Sequence, residues 1–503
     1  MKVRESGWLC WLAVALAGVP ADAQDVFVEG GRLVDPRTGV VEAGNLLIVD
    51  GRIVGRPQER PLGFLGEVVD ARGGWVLPGL RDMHVHTAVS QAPGALERVG
   101  TTKAAQRMLR AGVVGFLDLF NAEDLILGVR DRQRSSPEQE AFRQADIYAA
   151  GPCLTATNGH CTEYPTPTRV IDTPKQAREQ VSELARKRPD VVKLVYAHAT
   201  PGAKRLARPT LDRETFRAAL RAADERELPT VVHIRSWRDV RDAVEEGATA
   251  ITHLPGGPAP EGIERLFLES GTVIIPTMAL GDVALARDKE RLDDPLLEEI
   301  ASARILEAYR SFDLEAPEQE GLRRGLAQAQ SHRAQTLSRL AAAGVPIVAG
   351  TDAGNWFTVH GYSLHRELEL YVEAGLTPLQ ALRSATVTAG DLLGRGWGLS
   401  AGDQGSVLVL EASPLDDIRN TRRIRAVVHH GRVVPDRKLT DRARFERDRI
   451  ELERRAAQRG ERSAAAGVGL SARRTRRSQA RWGVVTSHRD RGRACARARR
   501  SAR

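Results

Sequence analysis

The sequence predicts an α/β chain whose centre is a (β/α)8 barrel and whose two flanks together build a small sheet domain. Three observations point there. Between about Leu77 and Arg395, short apolar strand patterns alternate with helical patterns, the texture of a parallel barrel with insertions. On either side of that centre, the pattern changes to short strands broken by Gly-, Pro- and Asp-containing turns. His, Lys and Asp residues fall at the predicted strand ends of the centre, where barrel enzymes keep their chemistry.

At the N-terminus, residues 1–23 read as a secretory signal. Lys2 and Arg4 form a basic region, Trp8 to Val19 is an apolar run too short for an ordinary membrane span, and Ala21-Asp22-Ala23 is a cleavage site. Cys10 lies inside the apolar run rather than after it, which argues against a lipoprotein anchor. No other segment looks transmembrane, so the expectation is an exported protein, periplasmic or secreted, without stable membrane insertion after cleavage. An oxidising compartment allows Cys153 and Cys161 to pair as a disulfide or to stay as two thiols, with Cys495 as the odd one out.

Residues 24–76 and 397–436 are assigned to the small sheet domain. Its strands are Val26–Val28, Asn45–Val49 and Val68–Val69 from the first flank, with Ser406–Leu410 and Arg425–Val428 from the second. Residues 77–396 form the barrel. Its strands are the segment leading into Met83, then Val113–Leu119, Asp146–Ala150, Val191–Val195, Thr230–Ile234, Ala250–His253, Thr272–Pro276 and Pro346–Gly350. Helical patterns cover Pro174–Arg188, Arg213–Glu227, Trp237–Gly247 and Ile263–Gly271, and the charged stretch Ala284–Ala343 reads as extra helix before the last strand.

Residues 437–503 form a basic, largely disordered tail. From residue 441 onward it holds 20 Arg against 7 acidic residues, a net +13, and residues 1–440 carry −4. The high isoelectric point therefore belongs to the tail, and the body gives no argument for nucleic-acid binding. An anion- or membrane-binding arm and a simple disordered extension are both open readings of the tail.

At the strand ends stand His84 and His86 in Asp82-Met83-His84-Val85-His86, Lys193 at the end of the fourth strand, His233 of the fifth, His253 of the sixth, and Asp352 in Gly350-Thr351-Asp352-Ala353-Gly354. An H-x-H pair on extended backbone turns both imidazoles to one side. Each residue alone has a bland reading, a hydrogen-bonded core histidine or an edge lysine. Four imidazoles, one carboxylate and one lysine at one barrel mouth are a metal-site inventory.

This constellation resembles the amidohydrolase superfamily, in its imidazolonepropionase-like and prolidase-like branch. The resemblance spans residues 25–436 and includes His84-x-His86, the Gly350–Gly354 string, His360-Gly361 with Ser363–Leu370, Ala374–Pro378, Ala381-Leu382 and Ala385-Thr386. It implies a TIM barrel with a small β-sandwich, and two divalent metal ions, zinc being the default for a His-rich set. His84, His86 and Asp352 would hold the buried ion and His233 and His253 the outer one. Lys193, carboxylated by carbon dioxide, would bridge them, since a desolvated lysine has a neutral, reactive amine. The implied reaction is hydrolysis of a C–N bond of a small substrate, such as a dipeptide or cyclic amide, by metal-bridged hydroxide attack. Asp352 would move the proton.

His160 and Tyr196 would contact substrate, His198 and Arg235 lie nearby, and His360 would shape the last loop. An Xaa-Pro-type dipeptidase falls within this reading. The alternative is a mononuclear deaminase of an aminated heterocycle, against which Lys193 argues, because a one-metal site needs no bridging carbamate. The expected partners are a small-molecule or dipeptide substrate and no nucleic acid, with a homo-oligomer left open. Intact-mass analysis of secreted material should find a chain beginning at Gln24; retention of Met1 would refute signal cleavage.

Overall fold

The structure, a computed structural model, describes residues 25–135, 143–199 and 208–435. The segments expected to be a signal and a disordered basic tail lie outside the described residues. Both flanks contribute to one eight-stranded sheet, with Val26–Val34, Val41–Val49, Arg52–Gly55, Glu67–Asp70 and Trp75–Pro78 from the first and Val407–Leu410, Ile424–His429 and Arg432–Val433 from the second. The seam is the antiparallel pairing of Trp75–Pro78 with Val407–Leu410, Val407 lying opposite Pro78. That strand carries the sheet past the expected boundary at residue 76. Val26, Val28, Ile48, Val76, Val407 and Val409 share the core of this β-sandwich domain.

The barrel strands are Leu80–Val85, Val113–Asp118, Asp146–Ala149, Val192–Val195, Thr230–His233, Ala250–Thr252 and Val273–Ile275. The third is split. Its first piece pairs with the second strand, and after Ala150-Gly151-Pro152 a continuation, Cys153–Thr155, pairs with the fourth. Proline supplies no N–H for a ladder, so the break falls where pairing must switch. The eighth strand is less regular than expected. Residues 346–353 are held by single bridges, Ile274 to Ile347 and Val85 to Ala353. The Val348 N–H donates to Ile274 O, and the Met83 N–H donates to Ala349 O. These bonds join the seventh strand to the first and close the barrel.

The helices Pro174–Ala185, Arg213–Asp224, Trp237–Glu245 and Ile263–Ser270 fall where the apolar periodicity predicts them. Thr173, Asp212 and Ser236 cap the first three through side-chain acceptors. The charged insertion contains Pro295–Ile300, Ala303–Ser311 and the long helix Glu320–Ala343. A hairpin that the sequence reading missed, Val89–Ala92 with Ala95–Arg98, follows the first strand.

Side chains alternate in direction along each barrel strand. Val192, Leu194, Val232 and Ile251 face the helices and join the large outer core. Leu117, Tyr148, Val191, Val231, Ala250 and Val348 face inward and form an apolar floor. Trp397 packs beneath it, its ring 5.3 Å from that of Tyr148, with the buried Arg81 guanidinium 4.2 Å over the indole. Arg81 Nη2 donates to Gln404 Oε1 at 3.0 Å and Gln404 Nε2 donates to Asp146 Oδ2 at 2.7 Å, tying the barrel base to the second flank.

Replacing Trp397 with Ala should open a cavity under the floor and strip the cover from Arg81. The expected loss is about 3–5 kcal/mol, read from denaturant unfolding of the full chain.

Candidate metal centre

Strand parity builds the site. Lys193 lies two residues beyond Val191, His233 two beyond Val231, Thr252 two beyond Ala250 and Thr277 two beyond Ile275. Lys193, His233 and Thr252 therefore point inward one layer above the apolar floor, and Thr277, past the end of its strand with φ 51°, reaches the same layer. Three deviations add the remaining groups. In the first strand, the register slips between Asp82 and Val85, so Met83 joins the floor while His84 also turns inward. By parity His253 would face the helices, but its backbone has φ 77° and returns the ring to the mouth. Asp352 has φ 60° on the irregular eighth strand. Gly350 is required there, because a Cβ would stand 2.9 Å from His84 Cβ and 2.6 Å from Ile275 Cγ2.

The six expected metal ligands all line one cavity of about 820 Å³. His84 Nε2 and His86 Nε2 lie 3.3 Å apart, and Asp352 Oδ1 stands 3.3 Å from the first and 2.8 Å from the second. The His253 ring centre is 5.0 Å from that of His84 and 4.6 Å from that of His233. Threonines of the same layer orient two of the rings. Thr252 Oγ1 is 2.5 Å from His84 Nδ1 and Thr277 Oγ1 is 2.8 Å from His253 Nδ1. Asn355 Nδ2 donates to Asp352 Oδ1 at 2.9 Å. Beneath, Asp82 accepts from the Thr351 hydroxyl and the Thr351 and His84 N–H groups, fixing both ligand-bearing segments.

Burial lowers His84 and His233 well below the usual imidazole range and His253 to about 3. These rings are neutral and offer lone pairs. Burial pushes Asp352 up, but His84 and His86 outweigh it and hold the carboxyl well below its usual range. Burial lowers the Lys193 amine to about 8. Its Nζ and His86 Nδ1 are buried without a hydrogen-bond partner among the described residues. Neutral imidazoles, an ionised carboxylate and an orphaned amine in one pocket fit divalent-cation binding. A second group, Asp146, His429 and His430, lies at the barrel base. There Ser406 Oγ and Gln144 O occupy both His429 nitrogens, and His430 pairs with Asp146 at 2.7 Å, so hydrogen bonds account for it.

Lys193 is the second residue of the fourth strand, not its end. His160 does line the cavity, its ring centre 4.6 Å from that of His233 and its Nδ1 2.7 Å from Glu163 Oε1. Tyr196 does not. Three residues past Lys193, it faces the opposite side of the strand, stacks on Phe216 at 4.2 Å and donates to Asp242 Oδ2 at 2.9 Å. Parity alone could have excluded it. His198 pairs with Asp239 at 2.6 Å, away from the cavity wall, whereas Arg235 lines it. His360 is buried with Nε2 at 3.1 Å from His86 O, a contact that ties the loop after the eighth strand to the end of the first. Cys153 and Cys161 are free buried thiols with sulfurs 2.8 Å apart beside the cavity. The sequence reading missed Thr252, Thr277, Asn355, Glu163 and Arg333; Thr252 could have been found by counting two residues past Ala250.

Among curated proteins, a dihydroorotase of Anaeromyxobacter sp. (strain K) is 44% identical over 136 residues, 27% of this chain and 30% of that relative's length. The match thus spans under a third of the relative. An uncharacterised protein of Mycobacterium bovis is 26% identical over 351 residues, 70% of this chain and 81% of that one. Two solved structures share the fold. A Xaa-Pro dipeptidase with methionine in its active site has TM-score 0.65 at 21% identity, covering 82% of this chain and all of that one. An ochratoxinase of A. niger has TM-score 0.63 at 19% identity, covering 82% and 96%. The model of the amidohydrolase family matches residues 75–434, from the last strand of the first flank to the end of the small sheet, and the chain belongs to that family.

Proposed function

We propose that this chain binds two divalent metal ions and hydrolyses a C–N bond of a small amide, such as a dipeptide or a cyclic amide. The family supports a metal-dependent C–N hydrolase. The observation that carries the finer reading is the unpartnered, buried Lys193 Nζ set among four histidines and Asp352 in one cavity. His84, His86 and Asp352 would hold one ion and His233 and His253 the other, with zinc favoured by the imidazoles. Lys193 would bridge as a carbamate, which gives its desolvated amine a role that an ammonium could not fill. When bound, the metal supplies Lewis acidity that activates water and polarises the scissile carbonyl.

The chain's own residues do the rest. Asp352 takes a proton from the attacking water and returns it to the leaving nitrogen, while Asn355 keeps its Oδ1 in place. Thr252 and Thr277 fix the rings of His84 and His253. His160, backed by Glu163, stands at the mouth where it can meet the substrate. Phe120, Tyr164 and Trp237 line the wall and limit water. Export to the periplasm or medium would make peptides and foreign amides the accessible substrates.

Elemental mass spectrometry of protein purified without chelator should find about two metal ions per chain, falling in Lys193→Ala. About one ion, unchanged in that variant, would overturn the binuclear reading in favour of a one-metal deaminase. Asp352→Asn should stay folded by circular dichroism while kcat/KM on a responsive amide falls by about 10²–10⁴-fold. Turnover near that of the parent would refute the role of Asp352.

A further inference from the structure

The wall of the cavity beyond the metal donors has one-sided charge. Among the described residues, Asp352 is the sole carboxylate lining it, and it belongs to the donor set; Arg235 and Arg333 line it as well. Arg333 comes from the long helix Glu320–Ala343, inserted before the eighth strand. That helix is seated against the loop after the sixth strand. His332 Nδ1 donates to Gly256 O at 2.8 Å, and a Cβ on Gly256 would come within 3.0 Å of Ala329 Cβ.

The half-buried guanidinium is fixed rather than free. Arg333 Nε donates to Leu254 O at 3.0 Å and Nη1 to Leu280 O at 3.3 Å. Leu254 follows His253, so the charge stands one residue from an expected outer-metal ligand. Two neutral carbonyls hold it, and Nη2 has no acceptor among the described residues. Glu367, the acid that acts on it through space, spends its oxygens on the Met278 and Ala279 N–H groups at 2.7 and 2.5 Å. A guanidinium largely drawn out of water, with two carbonyls as hydrogen-bond partners and Glu367 acting only through space, has no carboxylate in direct contact among the described residues. A planar anion entering the cavity would supply that contact, and the guanidinium fork suits a carboxylate. Near it, Trp237, Leu280 and Leu254 provide apolar wall, and about 820 Å³ is room for more than a single small ring.

We infer that Arg333 is a specificity residue that receives a carboxylate, so that the substrates are N-acyl amino acids or dipeptides with a free carboxylate and a bulky apolar body. The inference rests on the hydrolase reading for where the amide lies, but its binding arm stands apart from turnover.

The test uses metal-loaded full-length protein and two matched ligand pairs. Benzenesulfonyl-L-leucine and its carboxamide, which resist hydrolysis, report binding by calorimetry; benzoyl-L-leucine and its carboxamide report turnover. The parent should bind the acid at least about tenfold more tightly than the carboxamide. In Arg333→Gln that ratio should collapse toward one, with Arg333→Lys between. Loss of a purely structural contact would weaken both ligands alike and leave the ratio unmoved. Equal binding of acid and carboxamide by the parent, binding of neither, or a preference that survives Arg333→Gln would overturn the proposal; the first two need no variant. If the acid preference depends on Arg333 while benzoyl-L-leucine is untouched, the anion site holds and the hydrolase reading is what fails. If both benzoyl compounds turn over without preference, the hydrolase reading holds and the anion site fails.

Discussion

Period-two alternation in short parallel strands is the constraint on which the site depends. A strand of three to six residues has one to three inward positions, and the lowest must be apolar to close the barrel interior. Leu117, Tyr148, Val191, Val231, Ala250 and Val348 do this. The next inward position faces the mouth, and there Lys193, His233 and Thr252 appear. Polar groups are thus lifted onto a dry, close-packed floor, which fixes their spacing and desolvates them together. The lowered pKa values of Lys193 and the histidines follow from that placement, since burial is the leading cause for each.

Alternation alone would give too few donors, and the chain departs from regular geometry where more are needed. The slip at Asp82–Val85, the left-handed backbone at His253 and Asp352, and the irregular eighth strand lie around one cavity. Residues outside comfortable backbone regions persist where the surroundings over-determine them. Here the His253 N–H donates to Ile275 O, and the Asp352 N–H donates to His84 O. Asp82 adds a buried carboxyl whose acceptors are filled from both ligand-bearing segments.

Much of this was legible in the sequence. Apolar runs of four to six residues spaced by amphipathic helices identify the barrel units, and the H-x-H and Gly-Thr-Asp-Ala-Gly strings mark the first and last strands. The donor set was legible because its members sit at or near the strand ends that periodicity locates, although Lys193 lies within its strand and His253 reaches the mouth only through its left-handed backbone. Tyr196 was misjudged because nearness to Lys193 in sequence was weighed without counting parity. The small sheet was legible as texture, but not the pairing of Trp75–Pro78 with Val407–Leu410, which joins residues more than three hundred positions apart. Nor could Arg333 be found from the sequence. It sits mid-helix in a charged insertion rich in arginine, and what sets it apart is its seat against Leu254 and Leu280.

That contrast separates two layers of design in one cavity. The groups that would activate water come from strand ends, fixed by the floor and the barrel's closure. The groups that would face the rest of a substrate line the same cavity from elsewhere: His160 from the loop after the third strand, Trp237 from the start of a barrel helix, and Arg333 from the inserted helix. Changing a floor residue shifts every donor above it, because the layer is packed as a unit. Changing an insertion alters the cavity wall while leaving strand parity untouched. On the proposed function, chemistry would thus be tied to the fold and selectivity carried by segments that the fold tolerates, which makes the charge of the wall the more direct guide to what the cavity admits.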